Sequence, residues 1–153
     1  MLSIQVSDIK DFMSHLLSKD TFDHFYFIEA SIKMGVSYQI QGRINEGFYD
    51  TSVEQTLNRE FCYWKEIRHR IFDIIKGKRL PLSCKIVLGL SKQSISYLIA
   101  HNNSSFREED IEGIYVNILY DPKNLLITTG ISYKNFSLDK SLEYAFDEYL
   151  SMF

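Results

Sequence analysis

Apolar positions along this chain recur with two different periods, and the switches between them mark its elements. Leu2, Ile4 and Val6 alternate with polar neighbours, the pattern of a half-buried strand. Ser7 stands where a helix N-cap is expected. Ile9, Phe12, Met13, Leu16 and Leu17 then form one apolar stripe at helical spacing. Period two returns between His24 and Ile44, where Phe25, Phe27, Val36, Tyr38 and Ile40 read as a hairpin turning near Met34-Gly35. A helical period occupies residues 52–76, with Val53, Leu57, Phe61, Trp64, Ile67, Ile71, Ile74 and Ile75 in one sector. A break near Arg59–Phe61 is left open by the pattern. Gly77 falls at the C′ position and Pro81 follows soon after.

The second half runs through the same order. Cys84–Leu90 is a β-branched strand, and Ser91 caps a helix carrying Ile95, Leu98 and Ile99. Ile114, Val116, Ile118 and Tyr120 alternate, Asp121-Pro122-Lys123-Asn124 makes a turn, and Leu125, Ile127, Thr129 and Ile131 return. A short strand is expected near Tyr133–Leu138. Asp139 then opens a terminal helix with Leu142, Phe146, Tyr149, Leu150 and Phe153. The expectation is one α+β domain spanning residues 1–153. Its antiparallel sheet comes from two strand–helix–hairpin units, a pseudo-repeat of 2–44 and 84–138, with the helices on one face. A connecting helix over 52–76 and a C-terminal helix over 139–152 complete it.

Composition narrows the function classes. A chain of 153 residues can bury a core without a disulfide or metal staple. Net charge is −3, which argues against a protein coated in basic charge but leaves room for a local patch. Cys62 and Cys84 have no ligand pattern near them and suit a reducing compartment, as buried thiols. The N-terminus lacks a basic region followed by an apolar one, and no apolar run approaches the ~20 residues of a membrane span. A cytoplasmic protein with no membrane partner is expected.

The segment from Lys65 to Lys85 holds the strongest candidate chemistry. Lys65, Arg68, Arg70, Lys76, Lys78, Arg79 and Lys85 make up 7 of the 17 basic residues. On a helix Lys65, His69 and Lys76 project within ~40° of one another, opposite the apolar stripe. Arg68 flanks them, and Gly77-Lys78-Arg79 carries the charge past the helix end. Lys65, Arg68, His69, Lys76, Lys78 and Arg79 are therefore the candidate anion or nucleic-acid site. The competing reading is a solvated helix face, with cations favoured at its C-terminal end by the macrodipole.

Other motifs point to no chemistry. Gly77-Lys78-Arg79 follows a helix, whereas phosphates sit at helix N-termini. Glu108, Glu109, Asp110 and Glu112 lack calcium-loop spacing and read as a solvated loop. His15, His24, His69 and His101 have no metal-ligand spacing, and no nucleophile elbow is present. No cofactor or metal is expected. These readings favour a non-enzymatic binding module with nucleic acid as its partner. A protein-interaction or homo-oligomerisation module, using a sheet edge or the aromatic C-terminal helix, is the alternative. A small-molecule enzyme whose residues meet only in the fold comes third.

Two resemblances accompany these patterns. The paired strand–helix–hairpin units at 2–44 and 84–138 resemble one domain of a DNA sliding clamp, which implies helices lining one face of a curved antiparallel sheet. The residues GRIN at 42–45, IKGKRLPLSCKIVL at 75–88 and TTG at 128–130 resemble an uncharacterised family of short bacterial proteins of about this length. That second resemblance spans the chain and implies no activity.

Overall fold

The computed structural model describes residues 3–48, 59–101, 107–134 and 141–151. Six strands form one sheet: β1 (Ser3–Gln5), β2 (Tyr26–Lys33), β3 (Ser37–Gln41), β4 (Ser83–Gly89), β5 (Ile111–Tyr120) and β6 (Leu125–Tyr133). Their order is β1-β6-β5-β4-β2-β3, and every neighbouring pair is antiparallel. The described helices are α1 (Ile9–Leu17), α2 (Trp64–Ile75), α3 (Lys92–His101) and α4 (Ser141–Ser151). The architecture is α+β, as the periodicities imply.

Period-two patterning sorts the sheet into a covered and an open face. Ile32, Cys84, Tyr120 and Leu125 lie in one cross-strand row, and Ala30, Ile86, Ile118 and Ile127 in the next. These side chains are buried and share one core with Leu16 and Leu17 of α1, Trp64 and Ile71 of α2, Leu98 of α3 and Phe146 of α4. The intervening rows face away. Ser31, Lys85 and Leu119 are exposed there, as is Glu29, while Asn117 and Thr128 are half-buried. Antiparallel sheets tolerate one solvated face in this way.

The helix ends follow local chemistry. Asp8, one residue after the expected Ser7, caps α1: its carboxylate Oδ1 accepts the Asp11 N–H at 3.0 Å. A carboxylate is favoured there over a hydroxyl by the helix dipole. Ser91 caps α3, accepting the Ser94 N–H at 3.2 Å. After α2 the chain turns at Gly77, whose φ of 147° is a conformation that glycine alone adopts without strain. Thr129 Oγ1 donates to Asp147 Oδ1 at 2.8 Å, tying α4 to β6.

The connecting helix is shorter than its period suggests. It begins at Trp64; residues 59 and 60 form a bend, and residues 61–63 run extended between isolated bridges at Phe61 and Tyr63. The hairpin of β2 and β3 forks at Gly42, and this extended segment enters the fork. Cys62 receives the Phe27 N–H on its carbonyl at 2.8 Å and gives its own N–H to the Gly42 carbonyl at 2.9 Å. Backbone pairing on two sides outweighs the helical spacing of Phe61 and Trp64. Residues 52–58 of the expected helix, 135–138 of the expected short strand and Phe153 lie outside the described residues.

The order strand–helix–strand–strand does occur twice, but the two copies take different places in the sheet. β4 lies against β5 of its own unit, whereas β1 leaves its unit and pairs with β6 at the far edge.

Candidate nucleic-acid interface

Residues 59–65 alternate as Arg-x-Phe-x-Tyr-x-Lys. In the extended stretch this puts Phe61 and Tyr63 to one side and Cys62 to the other, and Arg59 reaches over the Tyr63 ring. Trp64, at the start of α2, is fully buried in the core. Isolated pairings of Tyr63 with Tyr26 and of Phe61 with Arg43 bring these rings beside Tyr26, which lies on the open face. The Tyr26 ring centroid is 5.4 Å from Tyr63 and 6.1 Å from Phe61.

Cations lie over these rings. The Arg59 guanidinium is 4.5 Å from the Tyr63 centroid, and the Lys65 ammonium is 5.8 Å from the same ring. Arg43 lies 5.1 Å over Phe61 and also pairs with Glu60. Glu66, in the first turn of α2, binds Arg59 at 2.6 Å and accepts the Tyr63 N–H at 2.7 Å. A Glu at that position satisfies an otherwise unpaired N–H and favours the positive end of the helix. Burial raises the Tyr26 phenol above its ordinary range and Tyr63 adds to this, against a lowering hydrogen bond from the Lys92 backbone N–H.

The ridge continues along the outer side of α2. At ~100° per residue, Lys65, His69, Phe72 and Lys76 fall within one narrow stripe. Lys65, His69, Lys76, Lys78 and Arg79 are all exposed. Phe72 is 37% exposed among them, with the Lys76 ammonium 6.0 Å from its ring. Lys76 also pairs with Asp73 at 2.9 Å.

Arg68 stands apart from this group. Its Nε lies 2.9 Å from Asp23 Oδ1 and its Nη2 is 3.1 Å from Oδ2, while Nη1 reaches the Leu17 carbonyl at 3.5 Å. The guanidinium is thus held in the join between α1 and α2. The structure brings Lys65, His69 and Lys76 onto one stripe, continues it through Lys78 and Arg79, and commits Arg68 to packing. Reasoning from helical periodicity missed Arg43, Arg59, Phe61, Tyr63 and Phe72. The signal for three of them was present as the period-two run from Arg59 to Lys65.

Neither thiol joins this surface as a nucleophile. Cys62 is half-buried and Cys84 buried, both unbridged. Burial pushes the Cys84 thiol up to about 12 and raises Cys62 as well, the latter helped by Glu66. Among the described residues, no group of three or more His, Cys, Asp or Glu side chains is arranged to hold a metal ion, and no helix is long and apolar enough to cross a membrane.

The chain belongs to the family of unknown function DUF5721, whose model matches residues 15–153. No curated protein and no solved structure matches it.

Proposed function

We propose that this chain is a non-enzymatic binding module for single-stranded nucleic acid. Its binding surface would be the ridge from Arg43 through Tyr63 to Arg79. The observation that carries the reading is Phe72, a large ring left exposed in the middle of the cationic stripe of α2. A solvated helix face has no need of an aromatic there. Surfaces that hold single strands combine cations for the phosphates with rings on which bases stack, and each stacked base contributes ~1–3 kcal/mol. Arg43, exposed over the Phe61 ring, adds a planar donor set suited to phosphate oxygens, while Arg59 is held over Tyr63 by Glu66. A net charge of −3 leaves the remaining surface acidic on balance, which confines a polyanion to this side.

The test is fluorescence anisotropy of a labelled single-stranded oligonucleotide, titrated at low and moderate salt. Binding is expected to weaken as salt rises, in proportion to the phosphates neutralised. Replacing Lys65, Lys76, Lys78 and Arg79 together with Glu is expected to abolish it. Phe72→Ala is expected to weaken binding roughly fivefold or more without changing the salt slope, because a ring releases no counterions. Absence of binding at low salt, or binding unaffected by the fourfold change, rejects the reading.

A further inference from the structure

The edge strand β3 lacks the features that normally keep sheet edges apart. Its sequence is Ser37-Tyr38-Gln39-Ile40-Gln41, with no charge, proline or glycine. Natural edges are blunted by lysines, prolines, bulges or short length. The opposite edge of this sheet, β1, is only three residues long. All residues of β3 but Ile40 are exposed, and among the described residues no segment pairs along its outer side.

The hydrogen-bond phase fixes which groups face outward. The Met34 N–H bonds the Val36 carbonyl at 3.1 Å, and the Gly42 N–H bonds the Ile28 carbonyl at 2.8 Å. In an antiparallel ladder bonded residues alternate, so Tyr38 and Ile40 turn their backbone groups toward β2. Ser37, Gln39 and Gln41 therefore direct their N–H and C=O groups away from the sheet.

These three residues match a second copy of themselves. With Gln39 on a two-fold axis, each Gln39 meets its equivalent in a doubly bonded pair, and Ser37 meets Gln41 of the other copy. Tyr38 then lies opposite Ile40 of the other copy, an apolar cross-strand pair on the core side of the sheet. Lys33 neighbours Ser37 and Glu29 neighbours Gln41. The row across the join therefore runs Lys33, Ser37, Gln41, Glu29, with opposite charges at its ends and no like charges facing. A two-fold axis requires such self-complementarity of a surface.

We propose that Ser37–Gln41 is a self-pairing edge through which two copies of this chain join antiparallel, extending the sheet across both. The join is short, so the dimer is weak and forms with rising concentration. Sedimentation of the wild-type protein across the micromolar to millimolar range is expected to show a monomer–dimer equilibrium. Amide exchange at Ser37, Gln39 and Gln41 is expected to slow as the dimer fills. Gln39→Lys sets two cations together on the axis and is expected to leave a monomer. Gln39→Pro removes an N–H that bonds nothing among the described residues of one copy, and it has the same expected result. An equimolar mixture of Gln39→Lys and Gln39→Glu is expected to dimerise again. A wild-type monomer throughout that range overturns the proposal, as does a dimer that survives both the lysine and the proline changes.

Discussion

The indole Nε1–H of Trp64 donates to the carbonyl oxygen of Leu16 across 2.7 Å, with both side chains fully buried. Leu16 lies in the last turn of α1, where carbonyls have no partner within the helix. One side chain therefore fills the core and closes a helix end 48 residues earlier in the chain. Trp64→Phe keeps a ring but leaves that carbonyl unpaired. The expected cost is roughly 1–3 kcal/mol of stability, read as a lower urea midpoint with unchanged slope. An unaltered midpoint would show that the bond contributes nothing.

Arg68 separates packing from binding. Asp23 and Arg68 are only 14% and 22% exposed in their side chains, so the pair is largely removed from water. Arg68→Ala strands Asp23 and the Leu17 carbonyl, and about 2–3 kcal/mol should be lost. The folded variant should still bind an oligonucleotide with the wild-type salt slope. Lys78→Glu should do the reverse, leaving stability within ~0.5 kcal/mol while weakening binding. Thermal melts and anisotropy titrations on both proteins make the comparison.

Gly42 has no room for a side chain. A Cβ there would sit 1.8 Å from the Phe27 carbonyl oxygen. That carbonyl cannot move freely, because the Phe27 N–H of the same strand is bonded to Cys62. Gly42→Ala is expected to cost about 3 kcal/mol or more and to release residues 59–63 from the fork. Exchange of the Phe27 and Cys62 amides should accelerate in the variant more than exchange of the β4 and β5 amides.

Alkaline pH should destabilise the fold through Cys84. Its thiol has an ordinary value of 9.0 and is held at about 12 by burial. A pKa raised on folding means the neutral form is favoured in the native state. Stability is therefore intact below pH 9 and is lost as pH rises from 9 toward 12, by roughly 4 kcal/mol in all. The tyrosines whose phenols are also raised, Tyr26, Tyr115, Tyr120 and Tyr149, act in the same sense at slightly higher pH. Cys84→Ala should flatten the lower part of that decline, measured by denaturant melts at stepped pH.

Most of the sheet was legible because one face is buried and the other is wet. Ile114, Val116, Ile118 and Tyr120 are buried, and the polar or exposed residues between them produce the alternation seen in the sequence. Gly77 announced the end of α2 for a similarly local reason, a backbone conformation other residues avoid. The start of α2 was not legible from helical spacing. Phe61 and Trp64 lie three apart, which suits a helix, yet Phe61 also belongs to the period-two run of Arg59, Phe61, Tyr63 and Lys65, in which Trp64 takes the other parity. What decides between them is the vacancy between β2 and residues 42–44, a tertiary feature with no local trace. The candidate site was half visible for the same reason. Charge spacing on α2 found Lys65, His69 and Lys76, but the partner that removes Arg68, Asp23, is 45 residues away. The rings at Tyr26, Phe61 and Tyr63 come together only once the fork is filled.

The place of β1 carries a consequence for the order in which the sheet is completed. Ser3 pairs with Thr128 and Gln5 with Leu126, so the strand's only neighbour among the described residues lies more than 120 positions later in the sequence. During synthesis β1 emerges before any residue of β6 exists. The β2–β3 and β5–β6 hairpins join residues close in sequence and meet a small loop-closure cost, whereas β1 must close a loop across most of the chain. Of the described strands, the one made earliest is therefore the last to be seated, and until then the outer side of β6 has no partner among the described residues and forms a second open edge.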